Sequence, residues 1–534
     1  MARSLAGRRI VTAADAHGPY GRVARRLVIV PGVFVALFTV WPAFATLRRG
    51  FDITAAITET GLRNTVLFTV WQATVSAALT LIVGLPVTWI VSRHEFVGRR
   101  IVRALTLVPF VLPTLVVGLA FRAVLPADLR SGVLPLVVAH VFLNVAVVVR
   151  VVGARWESQP RSFDEAAATL GAGAITRFRT VTLPMLRGSI AGAAGLVFMY
   201  CFTTYGAARV LAGPSRPVTE TEIYRFAVLA GDMRAASALA VTQVVIVGAV
   251  LALTARGASH TSVPQRPLAL RTAAPLRRFG VAIGAVLITV AFVLPIIGLV
   301  SRSIRVGDGF SPAAWRHAFG GAGALDVVSS LTASLTTAAA AATLSIMIGS
   351  LIAFAQVHAA SRAAHGVATA CEVIPVVVSA VVVGLGFLLA FRTSPFDWRG
   401  QWWLLPVSHA VVALPLVSRT VVASMRQIPA DLRSAASTLG ASPLRVLASI
   451  DASLLRRPIG AATALAALVS LGEFGASSLL SRRGNETLTM AVGRLLGRPG
   501  DVVQAQAFVA AVVLAALCLA LVTVVDLATT LGQR

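Results

Sequence analysis

The chain contains no lysine: all 47 of its basic residues are arginine. A standard phosphate-binding loop needs a lysine after its glycines, so the chain carries no nucleotide site of that type. Cysteine is almost absent. Cys201, Cys371 and Cys518 lie in apolar runs without metal-ligand spacing or a disulfide partner, and they read as small core hydrophobes. There is no His-Glu-x-x-His or Cys-x-x-Cys pair, so neither a metal nor another cofactor is expected. No nucleophile–base set stands out that would make the chain an enzyme. Acids are few, at 21 in 534 residues, and charged residues of both signs make up only 13%. The resulting net charge of +26 suggests nucleic acid, but its distribution points elsewhere.

What remains is apolar. The chain is 57% hydrophobic with a mean hydropathy of +0.83, more than a soluble domain can hide. Runs of roughly 18 or more apolar residues are membrane helices, since hydrocarbon offers the backbone no hydrogen-bond partner. About twelve such runs are expected: 28–47, 64–92, 104–122, 132–152, 188–208, 236–255, 279–300, 331–356, 367–391, 402–422, 458–480 and 504–526. The first is longer than a signal-peptide core and ends on Arg48-Arg49, so it reads as an uncleaved helix. Arginines concentrate before the first run (Arg22, Arg25, Arg26), after the second (Arg93, Arg99, Arg100, Arg103) and between the sixth and seventh (Arg256, Arg266, Arg271, Arg277, Arg278). This bias places both termini in the cytoplasm of a multi-pass cell-membrane protein and leaves no role for nucleic acid.

The chain repeats itself. Ala73-Thr74-Val75-Ser76 answers Ala342-Thr343-Leu344-Ser345; His140, Arg150 and Pro160 answer His409, Arg419 and Pro429; Tyr205-Gly206-Ala207 answers Phe474-Gly475-Ala476. The offset is 269 residues, as from His140 to His409, drifting to 266 around Pro109 and Pro375. The expected organisation is a tail (1–27), a first six-helix half (28–255), a linker of Arg, Pro, Ser and Thr (256–278), a second half (279–526) and a short tail (527–534). Both halves start on the same side, so the repeat is parallel. Trp398, Trp402 and Trp403 gather where the tenth run begins, as at a headgroup boundary.

Between the fourth and fifth runs of each half lies a polar loop, 153–187 and 423–457. The first contains Ser162-Phe163-Asp164-Glu165-Ala166-Ala167-Ala168-Thr169-Leu170-Gly171. Ser162 and Glu165 suggest a capping box, Asp164 suits a helix N-terminus, and Gly171 suits a left-handed stop. A second helix then runs to Leu183-Pro184. The other loop has Asp431-Leu432-Arg433-Ser434-Ala435-Ala436-Ser437-Thr438-Leu439-Gly440, with Asp431 as a cap and Ser442-Pro443 as the next helix start. Glu165, Ala166, Ala167, Gly171, Val181, Leu183 and Pro184 resemble the "EAA" loop of ABC importer permeases. In the second copy Ser434 replaces the glutamate and Ala452-Ser453 replace Leu-Pro, while Ala435, Ala436, Gly440 and Ile450 remain. The resemblance implies the all-α type I permease fold and two coupling loops that dock on two copies of a cytoplasmic ABC ATPase. It also implies an extracytoplasmic solute-binding protein as a further partner.

Few acids fall in the apolar runs, among them Glu372 and Glu473. Ionisable groups at membrane depth are costly and mark either a path or a buried packing contact. Tyr205, Glu473, Phe474 and Glu372 are the candidates for a substrate path. The fused twelve-helix arrangement, Leu471-Gly472-Glu473-Phe474-Gly475 and Thr219-Glu220-Thr221-Glu222-Ile223-Tyr224 resemble the ferric-iron and thiamine branch of the family. An ion-coupled secondary transporter of 6+6 helices shares the hydropathy and the repeat, but gives no reason for the paired loops.

Overall fold

The computed structural model describes residues 20–49, 59–213, 216–257, 271–272, 275–307, 309–321, 324–359, 361–393, 396–482 and 486–531. Most of the expected linker and both tail ends lie outside the described residues. The architecture is helical. The first repeat comprises α1 (Val23–Arg49), α2 (Gly61–Arg93), α3 (Arg99–Val111), α4 (Thr114–Val124), α5 (Val133–Glu157), α6 (Arg161–Thr169), α7 (Ala174–Phe202), α8 (Gly206–Leu211), α9 (Thr219–Tyr224) and α10 (Met233–Thr254). The second comprises α11 (Arg278–Ser303), α12 (Ala313–Phe319), α13 (Val327–His358), α14 (Arg362–Val377), α15 (Ala380–Ala390), α16 (Leu404–Arg426), α17 (Ala430–Thr438), α18 (Pro443–Gly472), α19 (Gly475–Leu480), α20 (Leu488–Leu496) and α21 (Asp501–Val525). Strand pairing among the described residues amounts to two-residue contacts, His94–Glu95 with Arg271–Thr272 and Arg305–Val306 with Gly309–Phe310.

Among the described residues ten helices are long and apolar enough to cross a membrane, and twelve spans result if two bent pairs count as one each. The third and ninth apolar runs are those pairs, not the straight spans that hydropathy suggests. The α3–α4 pair bends by 111° and the α14–α15 pair by 102°. At the first bend, Pro113 drives Leu112 out of the helical region, to ψ 137°. At the second, the equivalent residue is Ser379, whose hydroxyl accepts from the Val382 amide (3.3 Å) and starts a new helix.

Two compact units form. One contains residues 1–44, 336–470 and 523–534; the other contains 45–335 and 471–522. Each unit mixes the repeats. In the first, α1 packs on α14–α16: Phe38 meets Phe387, Phe391 and Trp403, and the Pro42 backbone lies where a Cβ on Gly386 would be. In the second, α11 packs on α2 and α4 through Gly284 against Ile90 and Gly298 against Val124. The compact units therefore cut across the repeat halves 28–255 and 279–526: residues up to 44 join 336–470, while 279–335 and 471–522 of the second repeat join the rest of the first. Small residues let the backbones approach; a Cβ on Gly84 would fall 2.9 Å from Val148, where α2 crosses α5. Trp398 and Trp403 meet edge to face (5.2 Å), whereas Trp402 is exposed.

Candidate functional site

The two polar loops have the same backbone. α6 ends on Gly171 at φ 80° and α17 ends on Gly440 at φ 82°. In the first loop the Ala172 amide donates to the Ala167 carbonyl and the Gly171 amide to that of Ala168, both at 3.0 Å. In the second, Ala441 donates to Ala436 and Gly440 to Ser437, again at 3.0 Å. This is a Schellman stop, and it needs a residue without a Cβ at the left-handed position. The expected capping box is not made. α6 begins on Pro160 without a side-chain cap, which leaves Ser162 inside the first turn; Pro429 does the same for α17 and Asp431. Ser442 does cap the next helix, accepting from the Arg445 amide.

The following helix does not end at Leu183-Pro184 either. α7 runs on from Ala174 to Phe202, with a widened turn at Phe178–Thr182 that absorbs the missing amide and ring of Pro184. α18 has the same widened turn at Leu447–Asp451 without a proline at residue 453. The turn is a property of the repeat, beyond what the proline alone requires.

Each loop is clasped to the helix that follows it, by opposite chemistry. Asp164 on α6 faces Arg177 (3.7 Å). Its equivalent on α17 is Arg433, which pairs at 2.7 Å with Asp451, and Asp451 also accepts from the Tyr20 hydroxyl (3.0 Å). Burial first, then the Asp451 hydrogen bond and charge, push the Tyr20 phenol above its usual range. Glu165, Ala166, Ser434 and Ala435 are exposed, and Ala167 and Ala436 are half-buried. Sequence reasoning missed the apolar groups beside them. Phe163, Leu170 and Ile175 are exposed in the first loop, and their equivalents Leu432, Leu439 and Leu444 are exposed in the second. Leu170 and Leu439 are each 88% exposed. Matched apolar groups at both copies were present in the repeat and readable there.

The second cluster lies in the unit containing 45–335 and 471–522, where α7 and α18 break. Tyr205 and Phe474 stand at the breaks, are both buried, and stack with centroids 5.1 Å apart. Tyr224 adds a third ring 5.9 Å from Tyr205, with Arg209 over its face at 5.7 Å. At the position equivalent to Tyr224 stands Gly493, where a Cβ would be 2.7 Å from the Phe474 ring. The Glu473 carboxylate accepts from the Ala476 amide (2.9 Å), the Ser477 amide (3.0 Å) and the Ser477 hydroxyl (3.0 Å), and so caps α19. Glu220, singled out earlier only as part of a motif, is fully buried and held by Gln243. Glu372 lies apart, in the other unit, where Arg419 (2.9 Å) and Gln356 (2.6 Å) bind its carboxylate. Among the described residues no group of His, Cys, Asp or Glu is arranged to hold a metal ion.

Residues 81–263, which include the first polar loop, match the family of the binding-protein-dependent transport system inner membrane component. Over a 509-residue alignment the chain is 29% identical to the thiamine transport system permease protein ThiP of Brucella suis, covering 89% of both chains. ThiP of Escherichia coli K12 is 25% identical over 93% of this chain and 96% of its own length. Over nearly its whole length this chain is thus similar to two-half permeases of ABC importers. A shorter likeness, 33% over 162 residues, links it to PhnV of Salmonella typhimurium, a putative 2-aminoethylphosphonate transport permease. The permease is an integral multi-pass membrane protein and a transport component. Its family works with ATPase and binding-protein partners.

Proposed function

We propose that this permease carries thiamine, or a closely similar aromatic cation, delivered by an extracytoplasmic binding protein. Two copies of an ABC ATPase drive it from the cytoplasmic side, where both termini lie. The observation that carries the coupling reading is the matched apolar pair Leu170 and Leu439, exposed at the same place in both loops. Exposed apolar groups at matched turns outside the spans call for a partner that covers them. Two such surfaces fit two copies of one ATPase. Glu165, Ala166, Ala167 and Gly171 form one docking edge, and Ser434, Ala435, Ala436 and Gly440 the other.

Thiamine is favoured over ferric iron because the permeases aligned over 89% of this chain are thiamine permeases. The chemistry of the helix breaks agrees. Stacked rings of Tyr205 and Phe474 suit a flat aromatic cation better than a metal ion. Glu473 adds negative charge beside them. We assign Glu372 to holding α14 on α16. The secondary-transporter alternative is not favoured, since the family match includes the first loop. The test is reconstitution in liposomes with the cognate ATPase and binding protein. Thiamine should enter with ATP inside the cytoplasmic compartment. Ferric-iron uptake without thiamine uptake would sink the substrate assignment. Thiamine uptake that follows an ion gradient without ATP would sink the coupling assignment.

A further inference from the structure

Within the unit containing 45–335 and 471–522, four arginines converge. Arg122 is in the last turn of α4 and Arg302 in the last turn of α11. Arg130 lies in the connection to α5, and Arg305 follows α11. A cavity of about 80 Å³ is lined by Arg122, Arg130, Arg302, Leu496, Gln504 and Phe508. An adjoining one of about 50 Å³ brings in Arg305 and Asp501. The charged neighbours of Arg302 are Arg122, Arg130 and Arg305, opposed by Asp501.

Helix dipoles account for part of this. A cation in the last turn faces the carbonyl end, which suits Arg122 and Arg302. They do not account for three guanidinium groups around one cavity, with a fourth and a single carboxylate at the adjoining one. Arg130 is anchored by donating to the Leu125 carbonyl (3.1 Å), and Arg302 lies over the Phe508 ring at 5.7 Å. The groups are thus held in place by a carbonyl and a ring, with most of their hydrogen-bonding capacity left for something else. Among the described residues neither Arg122 nor Arg302 makes an ion pair. On the scale where one water needs about 10–15 Å³, the cavity takes roughly five waters, or one phosphate-sized group.

We infer that this cavity binds a phosphate group, and that the phosphate belongs to the headgroup of an anionic phospholipid. Planar guanidinium groups match phosphate oxygens in pairs. The position argues for lipid as the source. The cavity sits at the ends of membrane-length helices α5, α11 and α21, its floor is apolar through Leu496 and Phe508, and α11 leads to it with Leu287, Val290, Leu294 and Ile297 exposed along one face. Acyl chains run along such a face while the headgroup lies level with the arginines. In the orientation proposed above, this is the outer leaflet.

The test uses the full-length permease in phosphatidylcholine nanodiscs, doped with phosphatidylglycerol or exposed to inorganic phosphate. Lipid retention is read by native mass spectrometry, and melting temperature by thermal shift. The wild type should retain phosphatidylglycerol over phosphatidylcholine and melt higher with it. Arg122→Gln/Arg302→Gln should weaken that retention roughly tenfold or more, since each lost charge-assisted contact is worth about that factor. Arg122→Lys/Arg302→Lys keeps the charges and should recover part of it. If the Gln pair fails to fold, Arg122→Gln alone, at an exposed position, carries the comparison. Equal stabilisation by millimolar inorganic phosphate, lost in the Gln pair, would keep the phosphate site but overturn lipid as its source. Unchanged lipid retention in every variant would overturn the site. So would variants that lose binding-protein docking while phosphatidylglycerol retention is intact.

Discussion

Tyr205 and Phe474 are the same position in the two repeats, and their rings stack on each other at 5.1 Å. The repeats therefore meet like with like at the breaks in α7 and α18. Around that contact the repeats trade chemistry. Thr204 stands where the second repeat has Glu473, and Glu220 stands where it has Thr489. Each repeat thus brings one acid and one hydroxyl to the breaks, with the places exchanged, and Thr489 donates to the Glu473 carbonyl (3.1 Å). A duplicated frame with unequal linings suits a solute that is itself asymmetric.

The aromatic contact is expected to matter for transport more than for folding. A stacked pair is worth roughly 0.5–1.5 kcal/mol beyond its buried area. Tyr205→Leu should keep the complex assembled and reduce thiamine uptake severalfold. Gly493→Ala tests the same ring from outside, because the new Cβ must displace Phe474. Transport assays in proteoliposomes at equal permease density check both. Full uptake in both variants would remove these rings from the path.

Glu473 separates two roles by its two replacements. Glu473→Ala removes the cap of α19 and should cost about 1–2 kcal/mol, seen as a lower melting temperature. Glu473→Gln keeps an acceptor for the Ala476 or Ser477 amide but removes the charge. If the charge attracts a cationic solute, the Gln variant should assemble normally and transport poorly. Normal uptake in Glu473→Gln with failed assembly in Glu473→Ala would leave only the cap.

Much of this was legible in the sequence, and the failures have physical reasons. Hydropathy finds the apolar runs but not their bends, because a run through Leu112-Pro113 or Val378-Ser379 is as apolar as a straight one. The left-handed stops were readable, since Gly171 and Gly440 follow matched helices. The capping box was not, because Pro160 and Pro429 start those helices earlier than Ser162 and Asp431 suggest. Depth alone left Glu473 open between a path and a buried packing contact. Its cap depends on the chain breaking at Phe474, which the small residues around it permit but do not announce. The regrouping of segments from both repeats into each compact unit is a tertiary choice with no local signal.

The two loops should be alike in backbone energetics and differ in grip. Gly171→Val and Gly440→Val each force a β-branched residue into the left-handed region, at a cost of about 1–2 kcal/mol. Equal loss of local hydrogen-exchange protection in the two loops is the expected result. Leu170→Asp and Leu439→Asp should each weaken ATPase association in a pull-down. Glu165→Ala should weaken it more than Ser434→Ala, because only the former removes a charge. Equal or reversed losses would refute that asymmetry.

The second loop has a buried support of its own. Asp451 is 1% exposed and joins Arg433 of α17 to Tyr20, just ahead of α1. Removing one partner of a buried pair leaves the other charge uncompensated, at roughly 3 kcal/mol. Asp451→Asn should therefore loosen α17, measured as faster hydrogen exchange over 430–446 and weaker ATPase association. Tyr20→Phe deletes one neutral donor and should cost about 1 kcal/mol. A double-mutant cycle with Arg433→Met checks that the three act together. The phenol binds its proton more tightly in the folded chain, so its contribution is complete below its unfolded pKa of about 10 and fades only as the pH rises further. Between pH 6 and 9 the exchange rates of wild-type α17 should stay level after correction for intrinsic chemistry. A loss of protection within that window would place the titrating group elsewhere than on Tyr20.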